Sequence, residues 1–307
     1  MNSASLKSQP LWAYLQLMRP ANIITAWADI LAGYAASGFV LVLIQVQTEP
    51  VSFVPLAWLL LSTTGLYGGG IVFNDVFDAE IDAQERPERP IPSGRASLQG
   101  AAWLGSLLLI MGVAAAAQVT MLSFTLATFI ALTALLYDRL AKHHPWLGPL
   151  NMGICRGGNL LLGVSALPMM VEQRWFLALI PIAYIAAITA ISQGEVQGGK
   201  SSTGILSLLL MGAVLSGILA LGLLTDYQLL AAVPFAVFLA GRVLPPFIKA
   251  AREPSPELIR GAVKAGVLSL IVLDAALAGG FAGLSYGVLV LGLLPISLVL
   301  ASLFTVT

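Results

Sequence analysis

The sequence is short of charge. Only 10% of its 307 residues are Asp, Glu, Lys or Arg, where a soluble domain needs roughly a quarter to keep its surface in water. A soluble globular fold is thereby excluded. The 15 basic and 15 acidic residues balance to a formal charge of zero, so no basic field points to nucleic acid as a partner. Cysteine occurs once, at Cys155, which rules out an intrachain disulfide. The stretch 1–10 is polar and lacks both a compact apolar core and a cleavage site, so it is not expected to be a removable signal peptide. What is present is apolar: 58% of the residues are hydrophobic and the mean hydropathy is +0.90.

That hydrophobicity is arranged in stretches of about twenty residues, enough to cross ~30 Å of hydrocarbon. They predict an all-α, polytopic transmembrane bundle with helices at 22–46, 54–74, 99–118, 121–140, 148–168, 174–194, 203–224, 228–249, 260–282 and 286–306. The expectation is nine core helices, and a tenth at the C-terminus if Gly279, Gly280 and Gly283 mark a turn rather than a kink. Basic residues fall in alternate breaks: Lys7 and Arg19; Arg86, Arg89 and Arg95; Arg139 and Lys142; Lys200; Lys249, Arg252, Arg260 and Lys264. Arg174 is the exception. The positive-inside tendency puts these breaks, and the N-terminus, on the cytoplasmic side of a plasma or inner membrane. The chain reads as one transmembrane domain over 1–307, capped by an acidic and Arg-Pro-rich cytoplasmic segment at about 75–98.

That cap carries the chemistry. Asn74, Asp78 and Asp82 recur every four residues and share one face if the helix runs through them, with Asp75 flanking it. Crowded carboxylates repel unless a cation neutralises them. Oxygen-only ligands without nearby His or Cys favour a hard ion, above all Mg²⁺. Magnesium is commonly shared between one or two carboxylates and substrate phosphates, which suggests a diphosphate as the missing partner. Downstream, Pro87, Pro90 and Pro92 stiffen the chain. Arg86, Arg89 and Arg95 are then candidates to stand over the same mouth, guanidinium being well shaped for phosphate oxygens.

The run Asn74-Asp75-Val76-Phe77-Asp78-Ala79-Glu80-Ile81-Asp82, followed by Arg86-Pro87-Glu88-Arg89-Pro90-Ile91-Pro92-Ser93-Gly94, closely resembles the first aspartate-rich motif of the UbiA superfamily of membrane prenyltransferases. It looks most like the archaeal geranylgeranylglyceryl-phosphate and chlorophyll-synthase branches. Arg19-Pro20-Ala21-Asn22 is similar to the start of that family's first helix, and Tyr137 with Lys142 resembles its Tyr-x-x-x-x-Lys element. The resemblance implies Mg²⁺ as cofactor, held by Asn74, Asp75, Asp78, Asp82 and Glu195. It implies a prenyl diphosphate bound by Asn22, Asn74, Arg86, Arg89, Tyr137, Lys142, Glu195 and Lys200. Catalysis would rest on Asp75, Asp78, Asp82 and Arg156, with transfer to a small aromatic or lipid acceptor.

The family's second acidic motif is reduced here. In the stretch 191–203 only Glu195 is acidic; Ser192 and Gly199 stand where carboxylates are expected. Gln193 or Gln197 would coordinate a cation neutrally, and the glycines could let backbone N–H groups approach phosphate. This erosion favours a second reading, a divergent UbiA-like protein similar to the EboC subgroup that binds or exports a lipidic or aromatic secondary metabolite. Among intramembrane polar residues, Arg156 is expected to face a cavity. Asp29 and Asp274 are expected either to pair with polar neighbours or to line an acceptor cavity. Asn151 and Asn159 could line one face of their helix. His143 and His144 read as loop residues, Cys155 as packing, and Trp12 and Tyr14 as interfacial anchors.

Overall fold

The computed structural model describes residues 10–40, 52–142, 144, 146–195 and 198–304. Lys7, the helix predicted beyond residue 40, His143, Gln197 and the last two residues of the stretch 286–306 lie outside them. Every element described is helical. In chain order these are α1 (Pro10–Met18), α2 (Pro20–Ala36), α3 (Val54–Phe77), the short α4 (Ala79–Glu85), α5 (Leu98–Ala117) and α6 (Met121–Leu136), which one π-turn extends over Tyr137–Ala141. Then come α7 (Leu147–Val164), α8 (Pro168–Arg174), α9 (Leu179–Ser192), α10 (Ser201–Ala220) and α11 (Leu229–Arg252). The chain closes with α12 (Pro256–Leu268), α13 (Leu270–Ala282), α14 (Leu284–Leu291) and α15 (Leu293–Leu303).

Among the described residues, 8 helical rods are long and apolar enough to cross a membrane: Val54–Phe77, Leu98–Ala117, Met121–Ala141, Pro168–Ser192, Ser201–Leu223, Leu229–Arg252, Pro256–Ala282 and Leu284–Leu303. The protein is therefore an integral membrane protein. Two further helices, α2 with 17 residues and α7 with 18, lie in the same bundle but are shorter or more polar. The C-terminal glycines resolve cleanly. Gly283 has φ 89°, a backbone that glycine adopts without penalty, and it separates α13 from α14. Gly279 and Gly280 stay helical.

Local chemistry sets several boundaries. Proline sits in the first turn of α2, α3, α8 and α12, where its missing N–H costs nothing. Ser97 and Thr120 cap α5 and α6 by accepting from Gly100 N at 3.0 Å and Ser123 N at 2.9 Å. Trp12 and Tyr14, expected ahead of the first helix, lie on a helix of their own; Trp12 stacks on Phe304 at 4.6 Å between centroids.

With no water to expel inside a bilayer, helices associate through close packing of small residues. A Cβ on Gly65 of α3 would lie 2.7 Å from Gly112 N of α5, so the two backbones touch there. The interior is built around α13, whose residues are all buried, with α2, α11 and α14 packed against it. Large apolar side chains such as Trp103, Ile110, Leu132 and Leu230 point outward, the expected face toward lipid.

Candidate functional site

The acidic segment lies where α3 ends, at the same end of the bundle as the α1–α2 junction. The helix does not run straight through it. Asp78 leaves the helical region (φ −87°, ψ 0°), yet its N–H still bonds Asn74 O at 3.0 Å, and Asp82 N bonds Asp78 O at 2.8 Å. The chain thus stays coiled across a kink. Instead of one shared face, the set splits in two. Asp75 and Asp82, seven residues or two turns apart, both meet Arg89 Nη1, at 3.3 Å and 2.6 Å. Arg19 Nη2 joins Asp75 at 2.7 Å. Asn74 and Asp78 turn toward the end of α6, where Asn74 Nδ2 donates to Asp138 Oδ1 at 2.8 Å and Asp78 pairs with Lys142.

These are not ordinary surface ion pairs. Side-chain exposure is 6% for Asp75, 7% for Asp82 and 14% for both arginines, so water screens them little. The sequence places each partner deliberately. Arg19 is the one non-glycine residue among those described with positive φ (46°). Pro20 behind it disfavours the right-handed helical region, and the left-handed backbone caps α2 with the guanidinium turned to Asp75. The π-turn before Lys142, closed by Lys142 N to Tyr137 O at 2.9 Å, is a distortion common at functional sites. Tyr137 lies within electrostatic reach of Asp78 and Asp138.

The Arg-Pro loop folds over this mouth. Arg19, Asp75, Arg86 and Arg89 help line a polar cavity of ≈ 270 Å³, a size suited to a charged head group. Arg95 does not join them. Its guanidinium donates to Gln16 Oε1 (3.0 Å), Glu88 O (2.6 Å) and Ser93 Oγ (3.0 Å), fastening the loop to α1.

From the second connection, Glu195 is the residue that approaches. Burial raises its carboxyl above the ordinary value, while Arg86 of the loop and Arg260 of α12 pull it back. Lys200 is exposed at the start of α10 and enters none of the ion pairs above. The glycine N–H groups are already spent: Gly198 N on Gly194 O and Gly199 N on Pro254 O, both at 3.0 Å. Their expected role toward phosphate therefore does not hold.

Deeper in the bundle, Arg156 corrects another expectation. It faces no open cavity. It is 3% exposed, lies 2.7 Å from Asp29 Oδ2, donates to Thr25 Oγ1 and O at 3.2 Å and 2.5 Å, and stands over the Tyr67 ring. A lone charge in hydrocarbon is too costly to leave unpaired. Asn159 serves the same network, bonding Asp29 Oδ2 (2.8 Å), Ala26 O (3.0 Å) and Thr63 Oγ1 (2.7 Å). Asn151, by contrast, meets Cys155 Sγ at 3.9 Å. Asn22 is buried one turn past Arg19 and its carbonyl accepts from Thr25 Oγ1 at 2.7 Å. His144 Nδ1 accepts from the Trp146 and Leu147 N–H groups at 3.3 Å and 3.2 Å, ahead of α7.

Among the described residues, no three His, Cys, Asp or Glu side chains converge closely enough to hold a metal ion as they stand. The donor set nevertheless suits a hard cation: the carboxylates of Asp75, Asp78 and Asp82 are gathered at one mouth, and the ion pairs above occupy Oδ1 of Asp75 and Oδ2 of Asp78 and Asp82. Each of the three carboxylates keeps its second oxygen outside these ion pairs. Two participants escaped the sequence reading of the site, Arg19 and Asp138. Arg19 opens the quoted Arg19-Pro20-Ala21-Asn22 without having been assigned a role, and Asp138 lies between Tyr137 and Lys142, so the signal was membership of, or adjacency to, a motif.

A membrane-embedded helical bundle with a buried acidic and basic mouth at one end defines the class, a polytopic intramembrane protein with one charged end. The sequence pattern of the UbiA prenyltransferase family matches residues 34–248, and the chain belongs to that family. Curated relatives include the digeranylgeranylglyceryl phosphate synthases of Methanosarcina barkeri, 32% identical over 161 residues (50% of this chain, 54% of theirs), and Methanothrix thermoacetophila, 37% over 149 residues (48% and 52%). The chain spans about half the length of the curated relatives it matches. A UbiA homologue from Aeropyrum pernix K1 in its apo form shares the fold with a TM-score of 0.69 at 17% identity, covering 83% of this chain and 96% of that one. A solved digeranylgeranylglyceryl phosphate synthase gives 0.66 at 20% identity, covering 89% and 99%.

Proposed function

We propose that this protein is a Mg²⁺-dependent prenyltransferase that takes a prenyl diphosphate at the acidic mouth and passes the prenyl group to a small aromatic or lipid acceptor. The observation that carries the reading is the pairing of Asp75, Asp78 and Asp82 with Arg19, Arg89 and Lys142 in a poorly hydrated mouth. Such a mouth holds, in one place, ligands for a cation and cations for a phosphate. Membership of the UbiA family and the likeness to digeranylgeranylglyceryl phosphate synthases support it.

On substrate arrival the arginines and Lys142 exchange carboxylate oxygens for diphosphate oxygens, and the carboxylates, with Asn74 and Glu195, become free for Mg²⁺. The bound ion would neutralise the charge that builds on the leaving diphosphate. The chain's own part is to hold that charge in place as the allylic C–O bond breaks and its electron pair leaves with the diphosphate. Arg86 and Arg89 lie on the loop that covers the mouth, positioned to exclude water. Tyr137 and Asn74 orient Asp138 and Lys142 at the end of α6; Asn22 and Lys200 are outer contacts of the substrate. Arg156 acts as a positioning residue that ties α2 to α7. The acceptor attacks from the apolar interior. The mouth and N-terminus face the cytoplasm, the side that its basic breaks favour, and the 75–98 segment is the cap of one transmembrane unit.

The test incubates purified protein with labelled prenyl diphosphates, Mg²⁺ and candidate acceptors. Diphosphate release that disappears in Asp78→Asn supports the reading; folded protein that neither binds nor turns over any prenyl diphosphate sinks it. A second reading rests on the single carboxylate, Glu195, that the second connection brings. It is a divergent protein that binds or exports a lipidic or aromatic secondary metabolite, and tight binding without diphosphate release would favour it.

A further inference from the structure

Halfway through the bundle lies a charge cluster that diphosphate chemistry does not use. Asp29 is ten residues beyond Arg19 on α2, roughly 15 Å deeper than the mouth and near the middle of the ~30 Å hydrocarbon. Asp274 comes from α13 and is 0% exposed, as is Asp29. The two carboxyl groups are close enough for a hydrogen bond to each other. The cation acting on both is Arg156 from α7. Its Nε lies 2.7 Å from Asp29 Oδ2, and Asn159 Nδ2 donates to the same oxygen at 2.8 Å. Asp29 Oδ1 and both oxygens of Asp274 find no donor among the described residues.

Among the described residues, Arg156 is the one cation acting on Asp274. From α3 come Thr63 and Tyr67, bonded to Asn159 and lying beneath Arg156 respectively. From α9, the Tyr184 hydroxyl donates to Gly266 O at 2.8 Å. Arg242 of α11 is held by Ser269 Oγ at 3.1 Å and lies over Phe238. Two carboxylates and one guanidinium leave a net negative charge without water. Burying an unpaired charge costs far more than neutralising it. One hydrogen supplies the missing positive charge and joins one Asp274 oxygen to Asp29 Oδ1.

We propose that Asp29 and Asp274 hold a single proton between them, so that with Arg156 they form a charge-neutral proton-binding site at mid-membrane joining α2, α7 and α13. Asp274 carries the proton and donates to Asp29 Oδ1; Asp29, ionised, keeps Arg156 and Asn159 on Oδ2. The same positive charge could come from an alkali-metal ion, and the experiment separates the two sources.

Infrared spectra of the full chain in an ester-free detergent at neutral pH test it, comparing wild type with Asp274→Asn. In that variant an amide N–H replaces the shared hydrogen and the fold is expected to persist. The expected result is a carboxylic-acid C=O stretch in wild type that is lost in Asp274→Asn, with a melting temperature indifferent to Na⁺ or K⁺ at constant ionic strength. If Asp274→Asn does not fold, Asp29→Asn gives the comparison from the other carboxyl. ¹³C-aspartate labelling of the unmutated protein then reports whether any aspartic acid is protonated. Spectra without a protonated aspartate overturn the proposal, as does a melting temperature that climbs with one alkali ion.

Discussion

Three carboxylates gathered at the end of an apolar bundle would repel one another, and this chain settles the repulsion with its own cations. Arg89 serves Asp75 and Asp82 together, Arg19 serves Asp75, and Lys142 serves Asp78. Removing one partner of a buried pair leaves the other uncompensated, at a cost of about 3–5 kcal/mol. Arg89→Ala, which strands two carboxylates, is therefore expected to lower the melting temperature in detergent more than Lys200→Ala, whose ammonium is exposed. Mg²⁺ should recover part of that loss. Equal effects of the two substitutions would contradict the ion-pair account. Glu195 gives a pH prediction. Its folded carboxyl titrates above the ordinary 4.5 because of burial, so the folded state holds its proton longer than the unfolded chain. Its contribution is full below 4.5 and is lost as pH rises through the raised value. In chelator, wild type should lose stability over that window and Glu195→Gln should lose less.

How much of this was legible follows from what spacing encodes. The acidic set and Lys142 could be read because residue type and interval are local properties. Which cation meets which carboxylate depends on the kink at Asp78 and on Arg19 arriving from another helix, 56 positions away, and no interval records that. Arg156 shows the same limit. A charge inside an apolar helix signals a partner or a cavity, and only packing reveals that Asp29 is the partner.

At the scale of elements, the α3–α5 contact fixes the helix that carries the motif. Gly65→Leu would drive a side chain into the Gly112 backbone and is expected to destabilise by about 1–3 kcal/mol, as overpacking does, measured by thermal unfolding in detergent. A substitution without effect would mean that these helices are not held there. The loop is fastened to α1 by Arg95 as well as to the mouth by Arg89, so Arg95→Ala should speed cleavage after Glu88 by a glutamate-specific protease while leaving α3 and α5 intact. Unchanged cleavage would contradict that role. Most helix spans were readable from apolar runs, whereas the end of α2 at Ala36, inside the predicted 22–46, the helix before Arg19 and the turn at Gly283 depended on packing and backbone geometry.

For the whole molecule, the bundle offers an apolar interior with one polar end, and the central claim is that this end receives a diphosphate by exchanging ion-pair partners. Equilibrium binding of a labelled prenyl diphosphate to the purified protein in nanodiscs, with Mg²⁺ and then with chelator, tests it most directly. The account predicts saturable binding that needs Mg²⁺ and weakens at least tenfold, about 1.4 kcal/mol, in both Asp82→Asn and Arg89→Ala. Binding of equal strength in chelator, or in both variants, would contradict it.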